Sequence, residues 1–171
     1  MALREIVTLP NPILRRKTRK VTDFGPELQI LIDDMVETLR AAPGVGLAAP
    51  QVNVSQQVTV IEFGDEKDES VPLKLYVLVN PEIVKLSKER VVAAEGCLSI
   101  PGIAGDVERA EAAIVKGFNR RGQPVKIKAK GWLARIFQHE VDHLNGVLYV
   151  DKATRLWQQK DEPEEKAIAA D

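Results

Sequence analysis

The chain has 171 residues, 44% of them hydrophobic and 29% charged, with a formal net charge of −1. That length fits one domain with its own core, while the balanced charge and 5% aromatic content give no signature of a nucleic-acid binder. A single cysteine rules out an intrachain disulfide, no run of about 18 apolar residues offers a membrane span, and the opening Met1-Ala2-Leu3-Arg4-Glu5-Ile6 reads as neither signal nor transit peptide, so the expectation is a cytoplasmic protein.

Pro10 and Pro12 argue against regular helix in residues 1–24, and Arg15-Arg16-Lys17 is expected to be a solvated basic run. From Pro26 to Ala42 the residues Leu28, Leu31, Ile32, Met35, Val36 and Leu39 recur three and four apart. The spacing predicts a core helix, capped by Thr22 or Asp23, with Asp33, Asp34, Glu37 and Arg40 mostly on the solvent side and Pro43-Gly44 as its stop. Gly44-Val45-Gly46-Leu47-Ala48-Ala49-Pro50-Gln51 follows. It is either a tight loop after the helix or a loop whose backbone approaches a ligand, because bulky side chains are few. It lacks the Gly-Lys-Ser/Thr that would hold phosphate and magnesium.

Strands are predicted at Gln57–Phe63, Leu73–Val79, Ile83–Ser87, Arg90–Ala94, Ala112–Phe118 and Pro124–Ala129. Residues 64–70 form a charged loop, and Asn119-Arg120-Arg121-Gly122-Gln123 a tight turn. A helix is expected from Gly131 to about Asn145, stopped by Gly146. Trp132, Ile136, His139 and His143 fall on one face, with Leu133, Phe137 and Leu144 beside it. Val147–Val150 reads as a short closing strand. Residues 156–171 read as a polar tail, helical or disordered, which puts the single domain at 1–155.

His139-Glu140-Val141-Asp142-His143 is an H-E-x-x-H segment holding the chain's two histidines. On a helix these lie one turn apart on one face and can bind one metal ion as neutral imidazoles, with Glu140 as a neighbouring proton carrier. An apolar helix makes unligated polar groups costly, which favours the metal over a chance pattern. Cys97, in Glu95-Gly96-Cys97-Leu98-Ser99, has three readings. It is a small buried hydrophobe, a nucleophile needing a histidine base, or a thiolate that completes a Cys-His-His set with one open position.

The Gly44–Gln51, Glu95–Ser99 and Gln138–His143 stretches, in that order, resemble the three signature motifs of the peptide deformylase family, and the similarity runs from about Leu9 to Asp151. The resemblance implies an α+β fold, with antiparallel β-sheets around a central helix bearing the H-E-x-x-H segment and an N-terminal core helix. It implies removal of formyl from N-formyl-methionyl nascent peptides, releasing formate, in a bacterial-type cytoplasm. Cys97, His139 and His143 would hold one divalent metal ion, with Fe(II) expected and zinc, nickel or cobalt as substitutes. Glu140 would take a proton from the attacking water and return it to the leaving amine. Gln51 and the Leu98 backbone N–H would share the oxyanion charge. The peptide would lie as an added strand along Val45, Gly46 and Gly96, with Trp132, Arg135 and Ile136 near the methionine pocket, Arg135 with its head at the rim. Trp132 and Ile136 fit plain core packing equally well. Glu95 and Arg109 are expected to support the metal ligands or to form an ordinary ion pair. The ribosome is the candidate partner. Gly102-Ile103-Ala104-Gly105 lacks an arginine that some family members use on the distal peptide, so that preference does not carry over. The competing readings are a general H-E-x-x-H metallopeptidase and a non-catalytic, metal-stabilised binding module.

Overall fold

The computed structural model describes residues 1–65 and 67–159. Two helices flank the larger of two sheets. Helix α1 spans Pro26–Ala41 and α2 spans Gly131–Leu144. Strands β1 (Gly46–Ala48), β2 (Val58–Phe63), β3 (Lys74–Leu86), β6 (Ala112–Phe118) and β7 (Pro124–Lys130) form a five-stranded sheet in the order β1-β2-β3-β6-β7. Strands β4 (Arg90–Cys97), β5 (Ile100–Ala110) and β8 (Ala153–Gln158) form a three-stranded sheet in the order β4-β5-β8. Every strand pair in both sheets is antiparallel, and the fold is α+β.

Alternation along the central strands explains how both faces of the larger sheet are covered. Val58 and Val60 of β2 and Val79 of β3 join the cluster made by Leu28, Leu31, Ile32, Met35 and Leu39 of α1. Ile61 and Leu78, with opposite parity, join Ala134, Ile136 and Phe137 of α2. A strand buried on both faces loses the polar-apolar alternation of a half-exposed one, and Val58, Thr59, Val60 and Ile61 of β2 are all buried in succession. A third cluster, with Ile13, Leu14, Cys97, Ile100, Val107, Leu148 and Tyr149, fills the space between the smaller sheet and the N-terminal segment.

Several expectations are corrected. Helix α1 is capped by Gly25 without a side-chain bond; Asp23 instead accepts the Gly25 N–H. Asp34 is buried rather than solvent-facing, because it accepts Ala2 N and Arg4 Nε from the N-terminal segment. The two strands expected at 73–79 and 83–87 are one, β3, with register shifts around Asn80-Pro81. The Gly44–Gln51 octet is not a loop: it contains β1 and a 3-10 turn at Ala49–Val52. Strand β5 has no counterpart among the expected elements, since Pro101, Gly102 and Gly105 interrupt its apolar residues. Val147–Val150 is not a strand; a single helical turn occupies Tyr149–Lys152, because Asp151 turns back to accept the Leu148 N–H. Strand β8 then runs past residue 155 to Gln158, so the first residues of the expected tail belong to the smaller sheet. Residues 160–171 of that tail lie outside the described residues.

Helix α2 has a firm C-terminal end. The Leu144 carbonyl accepts both the backbone N–H and the hydroxyl of Thr18. Gly146 takes φ +76° beyond it, where a Cβ would lie 2.5 Å from the Arg15 carbonyl oxygen, so both conformation and space require glycine. Among the described residues no helix is long and apolar enough to cross a membrane.

Candidate metal centre

Two scaffolds meet at the site. Cys97 ends β4 in the smaller sheet, while His139 and His143 stand one turn apart on α2, which lies against β1, β2, β3 and β6 of the larger sheet. One ligand atom from each of the three comes within 4.8 Å of the others, and Cys97 Sγ is 3.5 Å from His143 Nε2. Cys97 is 8% exposed and each histidine 1%. One thiolate and two imidazoles are the donor set of a site that keeps a position open for chemistry, so these residues fit a divalent ion.

Burial sets the protonation states that such an ion needs. Desolvation, joined by the neighbouring His139 and Arg109, pushes His143 well below the ordinary histidine value, so its imidazole is neutral at pH 7 and can ligate. His139 Nδ1 is 2.9 Å from Glu95 Oε1. Nδ1–H therefore donates to the carboxylate, and Nε2 is left as the ligating nitrogen. Its ring also stacks on Tyr149, centroids 6.0 Å apart and planes 19° apart.

Glu95 is the hub beneath the ligands. Its Oε1 accepts Arg109 Nη2 at 2.8 Å and its Oε2 accepts Arg109 Nε at 2.9 Å, a bidentate fork. Arg135 Nη1 adds a third charged donor at 2.6 Å on Oε2. Burial alone would raise the Glu95 carboxyl, but Arg109 and His139 outweigh it and hold the group far below the usual carboxylate range. Burial would likewise lower Arg109; Glu95 and Asp142 more than offset that and raise it. Arg109 Nη1 donates to Asp142 at 2.6 Å, and Lys152 reaches the same Asp142 oxygen at 3.0 Å.

Gln51 approaches from the other side. It is 0% exposed, and its Oε1 accepts the Ala48 N–H at 2.9 Å. That bond fixes which end of the amide faces the site: Nε2 lies 3.2 Å from Ser99 Oγ and 3.7 Å from Cys97 Sγ. Leu98 occupies the turn between Cys97 and Ser99. Glu140 is wholly buried beside His139, and a Cβ on Gly46 would lie 2.5 Å from its Oε2. The structure thus brings together Cys97, His139, His143, Glu140, Gln51 and Gly46.

The sequence profile of the polypeptide deformylase family matches residues 3–159. The chain belongs to the polypeptide deformylase family. Polypeptide deformylases are metal-dependent hydrolases that remove the N-terminal formyl group from nascent polypeptides. A peptide deformylase of Symbiobacterium thermophilum is 50% identical over 99% of this chain and 75% of its own length. The crystal structure of the Thermotoga maritima deformylase matches with a TM-score of 0.83 at 40% identity, covering 91% of this chain and all of that one. A deformylase of Acinetobacter baumannii, solved with Met-Ala-Ser bound, matches with a TM-score of 0.82 at 37% identity, covering 88% and 98%.

Within this deformylase fold the expected pocket residues divide. Trp132 is half-buried under the Arg135 guanidinium, which lies 5.4 Å from its ring centre. Ile136 is 0% exposed inside the cluster between α2 and the sheet, a packing position. Arg135 does not reach a rim. It is 3% exposed, and besides Glu95 it donates to the Val107 and Val91 carbonyls, because a buried guanidinium needs acceptors on every side. Ser99, Asp142 and Tyr149 contact Gln51, Arg109 and His139 respectively, and the sequence reading assigned none of them a role. Asp142 lay inside the motif itself; for Tyr149 no local signal exists.

Proposed function

We propose that this chain deformylates N-formyl-methionyl peptides with one divalent ion held by Cys97, His139 and His143, and with Glu140 as the proton carrier. The observation that carries the proposal is the convergence of three ligand atoms within 4.8 Å of one another beside a wholly buried carboxylate. A divalent ion bound there supplies Lewis-acid polarisation and a more acidic water. Glu140 accepts a proton from the attacking water and delivers it to the nitrogen as the C–N bond of the formamide breaks, giving formate and a free amine. Gln51, its amide fixed through Ala48, donates Nε2–H to the oxygen on which negative charge develops, and the Leu98 backbone N–H is the second donor. Cys97 as a thiolate lowers the positive charge at the centre, which places more of the proton transfer on Glu140. The Glu95 network holds the His139 ring in one tautomer and orientation.

The peptide is proposed to lie along Val45, Gly46 and Gly96, with Trp132 at the methionine pocket. Val45, just before β1, and Gly96, in β4, are half-buried. The Met-Ala-Ser seen in the Acinetobacter baumannii enzyme has the chemistry of a deformylated product. Fe(II) is the proposed working ion on the strength of the family resemblance, while one thiolate with two imidazoles suits zinc, nickel or cobalt as well. Residues up to 159 form the proposed catalytic domain, acting in the cytoplasm on chains emerging from the ribosome.

Anaerobic purification with metal analysis, followed by assay on formyl-Met-Ala, tests the proposal. Formate release without free methionine or alanine, proportional to bound iron, is expected. Release of amino acids would favour a general metallopeptidase, and binding without turnover a non-catalytic module.

A further inference from the structure

We propose that Gly46 is the steric seat of the Glu140 carboxylate, a positioning residue for the proton transfer assigned above, and the inference rests on that assignment. A Cβ built on Gly46 would stand 2.5 Å from Glu140 Oε2, 3.0 Å from Cδ and 3.2 Å from Cγ. These are the three nearest atoms, and all belong to one side chain. A flexible carboxylate on the surface would swing away from such a methyl. Glu140 is 0% exposed on a helix packed directly against β1, so neither the side chain nor the strand can give without disturbing the other.

The backbone offers no competing reason for glycine. Gly102, Gly122, Gly131 and Gly146 take positive φ, whereas Gly46 does not. Gly46 sits in regular antiparallel register opposite Ile61, where alanine fits as well. Among the described residues, Glu140 is the group that the missing side chain accommodates. Alanine at 46 keeps the N–H and C=O that a peptide strand would use. A pure substrate-binding role predicts little change; a seat predicts a displaced carboxylate and a loss confined to the chemical step.

A double-mutant cycle tests this with Gly46→Ala, Glu140→Ala and the pair. With formyl-Met-Ala, Gly46→Ala is expected to lower kcat about ten- to a hundredfold, the scale of a misplaced catalytic group, and to leave KM within about threefold. Thermal unfolding of the metal-free proteins supplies a readout independent of turnover. Gly46→Ala is expected to lower the midpoint by about 3–10 °C through overpacking. In the Glu140→Ala background the same change should stay within about 2 °C, because the space is vacated. Equal midpoint losses in both backgrounds would overturn the seat. If Gly46→Ala does not fold, folding of the double variant supports the proposal, and failure of both overturns it. Should Glu140→Ala retain full turnover, the proton-carrier assignment fails while the midpoints still decide the steric relation.

Discussion

Glu95 and His139 meet at 2.9 Å, carboxylate oxygen to Nδ1, and this contact decides which imidazole nitrogen is available to a metal. The same carboxylate answers Arg109 and Arg135, all three side chains being almost wholly buried. Glu95→Gln keeps the shape and removes the charge. It leaves two buried guanidiniums under-compensated, a loss of about 3–5 kcal/mol in unfolding free energy. It also frees the His139 tautomer, with metal affinity weakened about 10- to 100-fold. Urea denaturation of the metal-free protein and competition against a chelator measure the two effects separately. Wild-type metal affinity in this variant would show that something else orients the ring.

Glu140→Ala should retain the ion, since the three ligands are untouched, and lose at least about a hundredfold in deformylation rate. Gln51→Ala removes a single amide donor, and a comparable loss of about 10²–10³ in kcat is expected. Metal content per chain, measured alongside formate release, separates a missing proton carrier from a missing ion. Near-normal turnover by Glu140→Ala would reject the mechanism.

Tyr149 covers the His139 ring and donates its hydroxyl to the Ile103 carbonyl at 2.8 Å. Tyr149→Phe keeps the ring and loses one hydrogen bond, about 1 kcal/mol, with metal affinity unchanged. Tyr149→Ala opens a cavity at a cost of about 3–5 kcal/mol and lets the imidazole tilt, so metal binding weakens as well. Equal metal affinities for the Phe and Ala variants would mean that the stack does not hold the ligand.

Asp34 fastens the N-terminal segment through Ala2 N at 2.8 Å and Arg4 Nε at 2.9 Å. Burial is the largest single influence and raises its pKa, but the Ala2 N–H and Arg4 together outweigh it, and the net shift is downward. A lowered carboxyl pKa contributes stability that is complete above the unfolded value of about 3.9 and is lost as pH falls through the folded value. The segment should stay docked through neutral and mildly acidic pH and release only below about pH 3.9. The Ala2 and Arg4 amide signals, followed by NMR against pH, should inflect in that range. In Asp34→Asn the inflection should disappear, and an inflection near pH 6 would contradict the assignment.

The chemistry of the site was more legible in the sequence than the scaffold that carries it. His139, Glu140 and His143 stand out because few side chains ligate metals and their spacing is local; Cys97, 46 residues before His143, was tied to them only by the family resemblance. Arg135 was misplaced because its partner, Glu95, is 40 residues away along the chain, and an apolar helical face gives no hint of a buried acid beneath it. Strand β3 looked like two strands because Asn80-Pro81 reads as a break. What carries the chain through is a pair of bonds with the Val21 backbone, in which Asn80 Oδ1 accepts the Val21 N–H and Asn80 Nδ2 donates to the Val21 carbonyl, which lets Asn80 hold φ 53°. Strand β5 was hidden by its proline and glycines; its pairing with β4 and β8 supplies the regularity that its composition lacks.

The ligands come from a strand of the smaller sheet and from a helix packed on the larger one, and the two sheets have different hydrophobic clusters. Cys97 is on that strand, and the histidine pair is on that helix, which is also tied to the smaller sheet through Glu95 and Arg109. The ion is then a rivet through a joint, and its affinity becomes a gauge of how the two halves of the molecule are seated. A substitution far from the centre that shifts either sheet by a fraction of an ångström should register first as metal loss, before any strand unpairs. Any stabilisation by metal should in turn protect both halves together, rising with ion concentration as mass action requires.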